Sequence, residues 1–455
     1  MAAEYNRPDP GVEMPRRKVF DLAWPLILSN ITVPLLGLVD TAVVGHLPDS
    51  RYLGGVTLGA TLFSFLYWGF GFLRMGTTGL TAQAHGRDEV DAMLRLLGQG
   101  LMLALVIGLA LVALHPPVIA LGLSLLDGSA AVTAQAELYA RWRIFSAPAV
   151  LANYVLIGWF LGRGNSRVTL LLMVINNSIN IVLDLLFVVG LGMTVDGVAL
   201  ASVMADYCTL VVGIALAMGV WRRWSWRPVA GVFRDLGGYR RLLSVNLALF
   251  IRTLCLLFAF AFFHAQGADM GDTTLAANAV LLQFVLLASY ALDGFAHATE
   301  SLVGQRIGAN DEAGFRAVVW AASQWSLLAA GLASVSFWLA GDALVAVLTD
   351  LPAVRTMAGV YLPWVIAMPL LAAASYLLDG IFIGATRTRA MRDTMVLAVL
   401  GFYLPVWWLT QPLGNHGLWL AFVAFTLARS LLLGGLFHRA WSQRRWFAPA
   451  GHPAG

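Results

Sequence analysis

The chain matches itself when it is displaced by 222 positions. This one offset aligns eight pairs of aromatic, aliphatic and glycine residues: Tyr139, Trp142, Ile144, Tyr154, Leu156, Gly158, Phe160 and Gly162 with Tyr361, Trp364, Ile366, Tyr376, Leu378, Gly380, Phe382 and Gly384. A long internal repeat of this kind is typical of a tandem duplication. We therefore predict two copies of one structural unit, which meet near the arginine-rich segment 221–241.

Composition indicates the medium in which these two copies fold. Apolar residues make up 59% of the chain and charged residues only 12%, which is far from the average of soluble proteins. A helix that crosses a hydrocarbon core of about 30 Å needs roughly 20 apolar residues. About twelve such runs recur, at 20–46, 53–79, 92–115, 132–162, 168–191, 197–220, 241–265, 273–303, 314–340, 354–385, 393–411 and 416–438. We predict an all-α integral membrane protein with about twelve transmembrane helices in two six-helix lobes.

The same pattern predicts how the chain is divided. We expect an N-terminal tail, a first lobe, a linker, a second lobe and a C-terminal tail, at 1–18, 19–220, 221–240, 241–440 and 441–455. The apolar segments 116–126 and 342–351 are repeat mates that are too short to span, so we expect both to lie at the membrane interface.

Basic residues predict the orientation. Alternate loops and both tails hold 22 of the 29 arginines and lysines, whereas the opposite loops hold only Arg51 and Arg355. By the positive-inside rule both termini lie in the cytoplasm, as a multi-pass protein of the plasma or inner membrane. Six spans per half restore the starting side, so the repeats are parallel. The pI of about 9.2 then reflects topology and contact with anionic lipid rather than nucleic-acid binding.

The sequence shows none of the catalytic motifs for which we searched. It contains no zincin helix, nucleophile elbow or phosphate-binding loop. Cys208 and Cys255 both fall inside predicted spans, so neither indicates a disulfide or a metal site. We expect no enzymatic activity, no cofactor and no resident metal.

Charged residues inside the predicted spans are the candidates for function, because an ionisable group at membrane depth costs several kcal/mol and must face a cavity or a partner. They are Asp40, Arg74, Arg141, Arg143, Asp184, Asp206, Arg252, Asp293, Glu300, Asp379 and Arg429, with His264 and His297. Several lie near predicted helix ends, where long side chains can reach the interface: Arg74, His297, Glu300 and Asp379 on the cytoplasmic side, and Arg141 and Arg143 on the outer side.

Asp40 and Asp184 stand apart because their depths agree. Both lie about 9 to 11 Å below the outer interface at 1.5 Å per helical residue. Asn180 and Asn176 extend the face of Asp184 by one and two turns, and Asp206 lies at comparable depth. We therefore predict one polar pocket in the outer half of the first lobe.

This pocket belongs to one lobe only. The repeat places Phe262 opposite Asp40 and Val406 opposite Asp184, so the second lobe lacks both acids. The first span also contains Pro25 and Pro34, which remove backbone donors and tend to kink a helix. A carboxylate beside a kink can couple a change of charge to a change of helix shape.

Four stretches of sequence resemble the multidrug and toxic compound extrusion (MATE) family and its DinF-type branch: 25–30 (PLILSN), 37–46 (GLVDTAVVGH), 292–296 (LDGFA) and 378–387 (LDGIFIGATR). The resemblance covers about residues 16–440. It implies a twelve-helix fold of two lobes that exports small organic cations and other amphiphiles in exchange for protons or sodium, by alternating access.

The resemblance also implies roles for single residues. Asp40 matches the principal coupling site of DinF-type members. Asn180 and Asp184 match the part of the same network that lies on the fifth predicted span, and Tyr139 matches a tyrosine on the fourth. Ser202 stands where the family often has a threonine on the sixth span.

The prediction of the coupling ion rests on a difference between this sequence and the sodium-coupled members of the family. Sodium-coupled members use acidic residues in the second lobe, including one on the seventh span. The nearest charged residue on that span of this chain is Arg252. We therefore expect protons rather than sodium. We further expect Arg252 to pair with a second-lobe acid such as Asp293, and Asp379 to hold structure or gate the inner side.

Two other functions fit the general plan. A lipid-linked oligosaccharide or lipid flippase of a related two-lobed fold would need several cationic residues facing its anionic cargo, and Arg252 and Arg429 are the deep ones here. A sodium-coupled MATE antiporter is the other alternative. For partners we expect organic cations, amphiphiles and membrane lipid, no nucleic acid, and a functional monomer. Gly158 with Gly162, and Gly380 with Gly384, are predicted packing seams.

Overall fold

The chain is a helical membrane protein, as its composition predicted. The computed structural model describes residues 10–45, 49–126, 128–223, 235–443 and 445–447. Its helices are α1 Pro10–Gly45, α2 Ser50–Gly69, α3 Phe72–Gly86, α4 Val90–Ala113, α5 His115–Ser124, α6 Ala130–Arg143, α7 Ala147–Gly162, α8 Ser166–Asp184, α9 Val195–Arg223, α10 Leu236–Asp269, α11 Asp272–Gly308, α12 Glu312–Leu348, α13 Pro352–Gly384, α14 Thr388–Ala398, α15 Leu404–Thr410 and α16 Asn415–Ser442.

Eleven helical segments in the described ranges are long and apolar enough to cross a membrane. They coincide with the second to twelfth predicted spans, because α2 continues into α3, α6 into α7, and α14 into α15. The first predicted span lies within α1, which has 36 residues and begins at Pro10. Apolar length predicts where a helix crosses the membrane rather than where it starts, so the helix extends into the polar N-terminal region.

The two short apolar segments differ from each other. α5 is a separate ten-residue helix that begins beside the Pro116–Pro117 pair, too short to span a membrane, and its place at the interface stays a prediction. Its repeat mate is not separate, since α12 runs on through Asp342 to Leu348. The second repeat has no proline pair at this place, and nothing in its backbone interrupts the helix.

The helices group into two compact units. Of the described residues, those within 28–84 and 88–246 form the N-unit, and those within 10–27, 85–87 and 247–447 form the C-unit. α1 and α10 therefore each contribute to both units. Within the C-unit, an aromatic core surrounds Phe263, Trp419, Phe422 and Tyr403, and the Tyr403 hydroxyl donates to the carbonyl of Ala259 at 3.1 Å. In the N-unit, the buried indole of Trp159 donates to the Met93 carbonyl at 2.9 Å.

The predicted glycine seams are confirmed. On α13, a methyl group added at Gly380 or Gly384 would overlap the carbonyl oxygens of Ala296 and Glu300 on α11. The repeat-related pair on α7 faces the backbone of α3 in the same way, and a methyl group at Gly162 would lie 2.7 Å from the Thr78 oxygen. These glycines let two helix backbones approach directly.

We expect Gly380→Ala to destabilise the protein by about 1 to 3 kcal/mol, because α13 must move away from α11 to admit the methyl group. Gly359→Ala, on the same helix, is the matched control, since a methyl group there meets nothing within 4 Å. That change should be neutral or stabilise the helix by roughly 0.5 to 1 kcal/mol. Thermal unfolding of both variants in detergent tests the seam, and equal midpoints would contradict it.

Candidate functional site

A buried hydrogen-bonded group joins α8 to α9 in the N-unit. Asp184 and Asn180 are 0% and 1% exposed. With the amide oriented so that both of its ends are satisfied, Asn180 donates to Asp184 Oδ2 at 2.9 Å and accepts from Ser202 Oγ at 3.0 Å. Asn180 thus bridges an acid and a hydroxyl. The structure brings together three of the residues predicted from sequence.

Asp184 is the last residue of α8, and a π-helical turn, Leu185–Gly190, follows it directly. Such turns widen a helix locally and are frequent at functional sites. Asp184 is therefore held at a point where the regular helix ends.

One turn away, a second polar group joins the same two helices. Asn176 donates to Asp206 Oδ1 at 2.9 Å, and Arg143 donates to Asp206 Oδ2 at 2.6 Å. Asn153 on α7 donates to the backbone carbonyl of Asp206 at 3.0 Å. Asn176 and Asn180 are four residues apart on α8, and their partners Asp206 and Ser202 are four residues apart on α9. The two groups therefore lie on matching helix faces.

The surroundings of Arg143 differ from our expectation. We expected its side chain to reach the outer interface, but only 15% of it is exposed and it forms an ion pair with Asp206. The helix changes to a 3₁₀ turn at Ile144–Ser146, directly after Arg143. A 3₁₀ turn has fewer residues per turn than an α-helix, so the direction of side chains changes at this point. That change accompanies an inward-facing arginine.

Tyr67 and Ser146 complete the group around Arg143. The Arg143 guanidinium donates to Ser146 Oγ, and it lies over the Tyr67 ring at 5.4 Å from the centroid. The Tyr67 hydroxyl and Ser146 Oγ are 2.7 Å apart. Sequence reasoning missed Tyr67, Ser146 and Asn153. The available signal was the burial of Asp206, because an acid at membrane depth requires a cationic or hydrogen-bonding partner.

Tyr139 lies on α6 and is 3% exposed. Its ring packs edge-on against Phe63 with centroids 6.3 Å apart, and Gly59 provides the space beside it. Tyr139 is also within electrostatic range of Arg143. The structure therefore places this predicted site residue beside the Asp206 group.

The predicted site residues of the first span lie on α1. The positions of Asp40 and Pro34 fall within α1, but their side chains lie outside the described residues. The proximity of Asp40 to Asp184 thus stays a prediction. Pro25 is buried, and α1 continues through it as one helix.

A second cluster of buried charges lies in the C-unit. Asp379 on α13 accepts from Arg252 on α10 and, at 2.8 Å, from Arg429 on α16, with both bonds made to Oδ2. The three side chains are 7 to 9% exposed. Two guanidinium groups thus share one carboxylate oxygen. The contacts tie α10, α13 and α16 together.

This cluster corrects two expectations. Arg252 pairs with an acid of the second lobe, as expected, but that acid is Asp379 rather than Asp293. Asp379 does not extend toward the interface but is buried between two arginines. Asp293 lies half-buried on α11, within electrostatic range of Tyr290 and Tyr376. Asp293 and Asp379 were both at suitable positions along the chain, but helix rotation decides which of them faces α10.

The family comparison repeats the internal duplication. The MatE family profile matches residues 25–186 and 247–409, so the two matches begin 222 residues apart, which is the offset of the sequence repeat. Among curated proteins, DNA damage-inducible protein F of Escherichia coli K12 is 45% identical over 436 residues, covering 95% of this chain and 94% of the relative. The probable multidrug resistance protein NorM of Acinetobacter baylyi is 23% identical, covering 94% and 97% of the two chains.

Solved structures share the fold. An outward-facing multidrug resistance MATE family transporter of the MOP superfamily matches with a TM-score of 0.82 at 19% identity, over 96% of this chain and 100% of that chain. A MOP superfamily transporter from Pyrococcus furiosus, whose binding pocket of reverse polarity suggests a different function, matches with a TM-score of 0.81 at 19% identity, over 97% and 98% of the chains. At these identities the likeness concerns the fold alone.

Proposed function

The chain belongs to the MatE family of multidrug efflux transporters, and from this premise we propose that it is a proton-coupled antiporter that exports amphiphilic, often cationic organic compounds by alternating access. It is a multi-pass membrane transporter and not an enzyme. We propose that it acts as a monomer in the plasma or inner membrane. The distribution of its arginines and lysines supports a cytoplasmic position for both termini.

The contrast among three buried acids supports proton coupling. Asp206 and Asp379 accept hydrogen bonds from arginines, whereas Asp184 accepts from the neutral amide of Asn180. A carboxylate that binds a guanidinium must break an ion pair before it can take up a proton. A carboxyl group beside a neutral amide can exchange a proton at lower cost. Asp184, together with Asp40, is therefore the better candidate for the coupling site.

The C-unit cluster argues against sodium at Asp379. An inorganic cation that approached this carboxylate would meet two guanidinium groups already bound to it, and like charges repel strongly in a medium of low dielectric constant. Arg252 and Arg429 thus supply the positive charge internally. Proton coupling through the N-unit leaves the C-unit cluster intact during transport.

The deciding experiment is transport of a fluorescent organic cation in proteoliposomes under separately imposed gradients. We expect a pH gradient at equal sodium to drive transport, and a sodium gradient at equal pH to drive none. Liposomes without protein control for passive movement of the dye. If sodium alone drove transport and the pH gradient did not, proton coupling would be wrong, while export itself would stand.

A further inference from the structure

A groove in the C-unit lies beside the N-terminal part of α1 and the first turns of α12. Its volume is about 640 Å³, and its lining comprises Arg16, Glu312, Ala313, Arg316, Ala317, Trp320 and Ala321. It is separate from both polar clusters, and the transport function proposed above does not involve it.

Two contacts fix one wall of the groove. The Trp325 indole donates to the backbone carbonyl of Arg16 at 3.2 Å, and the ring of Phe20 lies 5.0 Å from that of Trp325. α1 is thus anchored to α12 at a defined height. Both contacts leave the Arg16 side chain exposed.

The other wall is apolar and regular. Ala313, Ala317 and Ala321 recur at four-residue spacing on α12 and line the groove together. Side chains at this spacing share one helix face, so the three methyl groups form a narrow channel along the helix. Trp320 beside them is 62% exposed, as is common for aromatic residues at the membrane interface.

The mouth of the groove carries excess positive charge. Arg16 and Arg316 both line it against one acid, Glu312, and Lys18 is exposed nearby on α1. The Arg316–Glu312 pair is 3.6 Å apart and largely exposed, so it holds Arg316 only weakly. An anionic group at the mouth could therefore bind to Arg316 at little cost.

We propose that this groove binds an anionic phospholipid. The phosphate binds to Arg16 and Arg316, and an acyl chain lies along the alanine channel against Trp320. The chemistry is complementary at both ends, since arginine forms charge-assisted bonds to phosphate oxygens and the channel offers apolar surface to the chain. A free phosphate ion lacks the acyl chain, and a zwitterionic lipid adds a cationic headgroup that Arg16 and Arg316 would repel.

The test is native mass spectrometry of the delipidated protein titrated with phosphatidylglycerol, with phosphatidylcholine and inorganic phosphate as comparison ligands. We expect preferential binding of phosphatidylglycerol. The double variant R16Q/R316Q should lose roughly fivefold in affinity per arginine removed, while Glu312→Gln should bind several-fold more tightly. Ala317→Leu, which fills the channel without a change of charge, should also weaken lipid binding.

Arg51→Gln is the matched control, because Arg51 is an exposed arginine outside the groove and the change should leave lipid affinity unaltered. Loss of folding cannot explain a pair of variants that change affinity in opposite directions. Unchanged affinity in R16Q/R316Q, equal binding of phosphatidylcholine, or full competition by inorganic phosphate would each overturn the proposal.

Discussion

Removal of the Asp379 carboxylate should destabilise the C-unit by about 3 to 5 kcal/mol, because two buried guanidinium groups would lose the charge that they share. In Asp379→Asn the side chain keeps its shape but offers one neutral oxygen to Arg252 and Arg429. Loss of either arginine alone is less costly, since a one-to-one ion pair remains. We therefore expect Arg252→Met to lower stability by less than Asp379→Asn.

Thermal unfolding of the purified variants in detergent measures this order. The triple variant R252M/D379L/R429M is the control, because replacement of a whole buried charge cluster by apolar residues of similar volume is often neutral. It should recover most of the stability that Asp379→Asn loses. An Asp379→Asn protein as stable as the parent, or a triple variant worse than Asp379→Asn, would contradict the cluster as a structural unit.

Asp40→Asn is expected to abolish export driven by a pH gradient, because asparagine copies the shape of the acid but cannot release a proton. Protonation at this position can then no longer differ between the two conformations, so a pH gradient cannot favour one conformation over the other. The variant should still reach the membrane folded and bind the organic cation. Proteoliposome transport, with binding of the same dye as control, measures both properties. Full transport by a well-folded Asp40→Asn protein would remove Asp40 from the coupling step.

The same acid should be coupled to Asp184. Carboxyl groups that lie within a few ångströms of each other take up protons interdependently, so Asp184→Asn should shift the pH dependence of substrate binding. Its effect together with Asp40→Asn should be far from additive, whereas Asp379→Asn should act independently of Asp40. Substrate affinity against pH, measured on folded protein for the three single and two double variants, distinguishes these cases. Additivity of Asp40 with Asp184 would defeat a shared site.

Periodicity and apolar length were enough to predict the helices and their duplication. The repeat offset of 222 recurs in the two family matches, and eleven predicted spans appear as apolar helices in the described ranges. Asn180 was placed with Asp184, and Asn176 with Asp206, because depth along a helix follows directly from residue count, whereas Ser202 came from the family resemblance. Gly380 and Gly384 were assigned to packing for a similar reason, since four-residue spacing puts both on one face.

The ion-pair partners of the buried arginines could not be predicted from residue count. Arg252 and Asp379 are 127 residues apart in sequence, and their contact depends on the rotation of α10 and α13 about their own axes. Residue count gives depth but not rotation, so Asp293 was an equally reasonable partner. Arg143 was misplaced for the same reason, since its ion pair with Asp206 depends on the rotation of α6, although Pro148 marks the 3₁₀ turn at Ile144–Ser146 that follows it.

The division of α1 between two units has a consequence for biosynthesis. Residues 10–27 belong to the C-unit, where Arg16 bonds to Trp325, a residue 309 positions later in the chain. This segment of α1 is made long before α12, so it must wait for α12 before its native partners exist, and the N-unit in turn needs the start of α10. Contacts of such long sequence separation form slowly. The first half of the chain cannot finish folding before the second half is made, so a fragment that ends in the linker should remain incomplete until the second half is supplied.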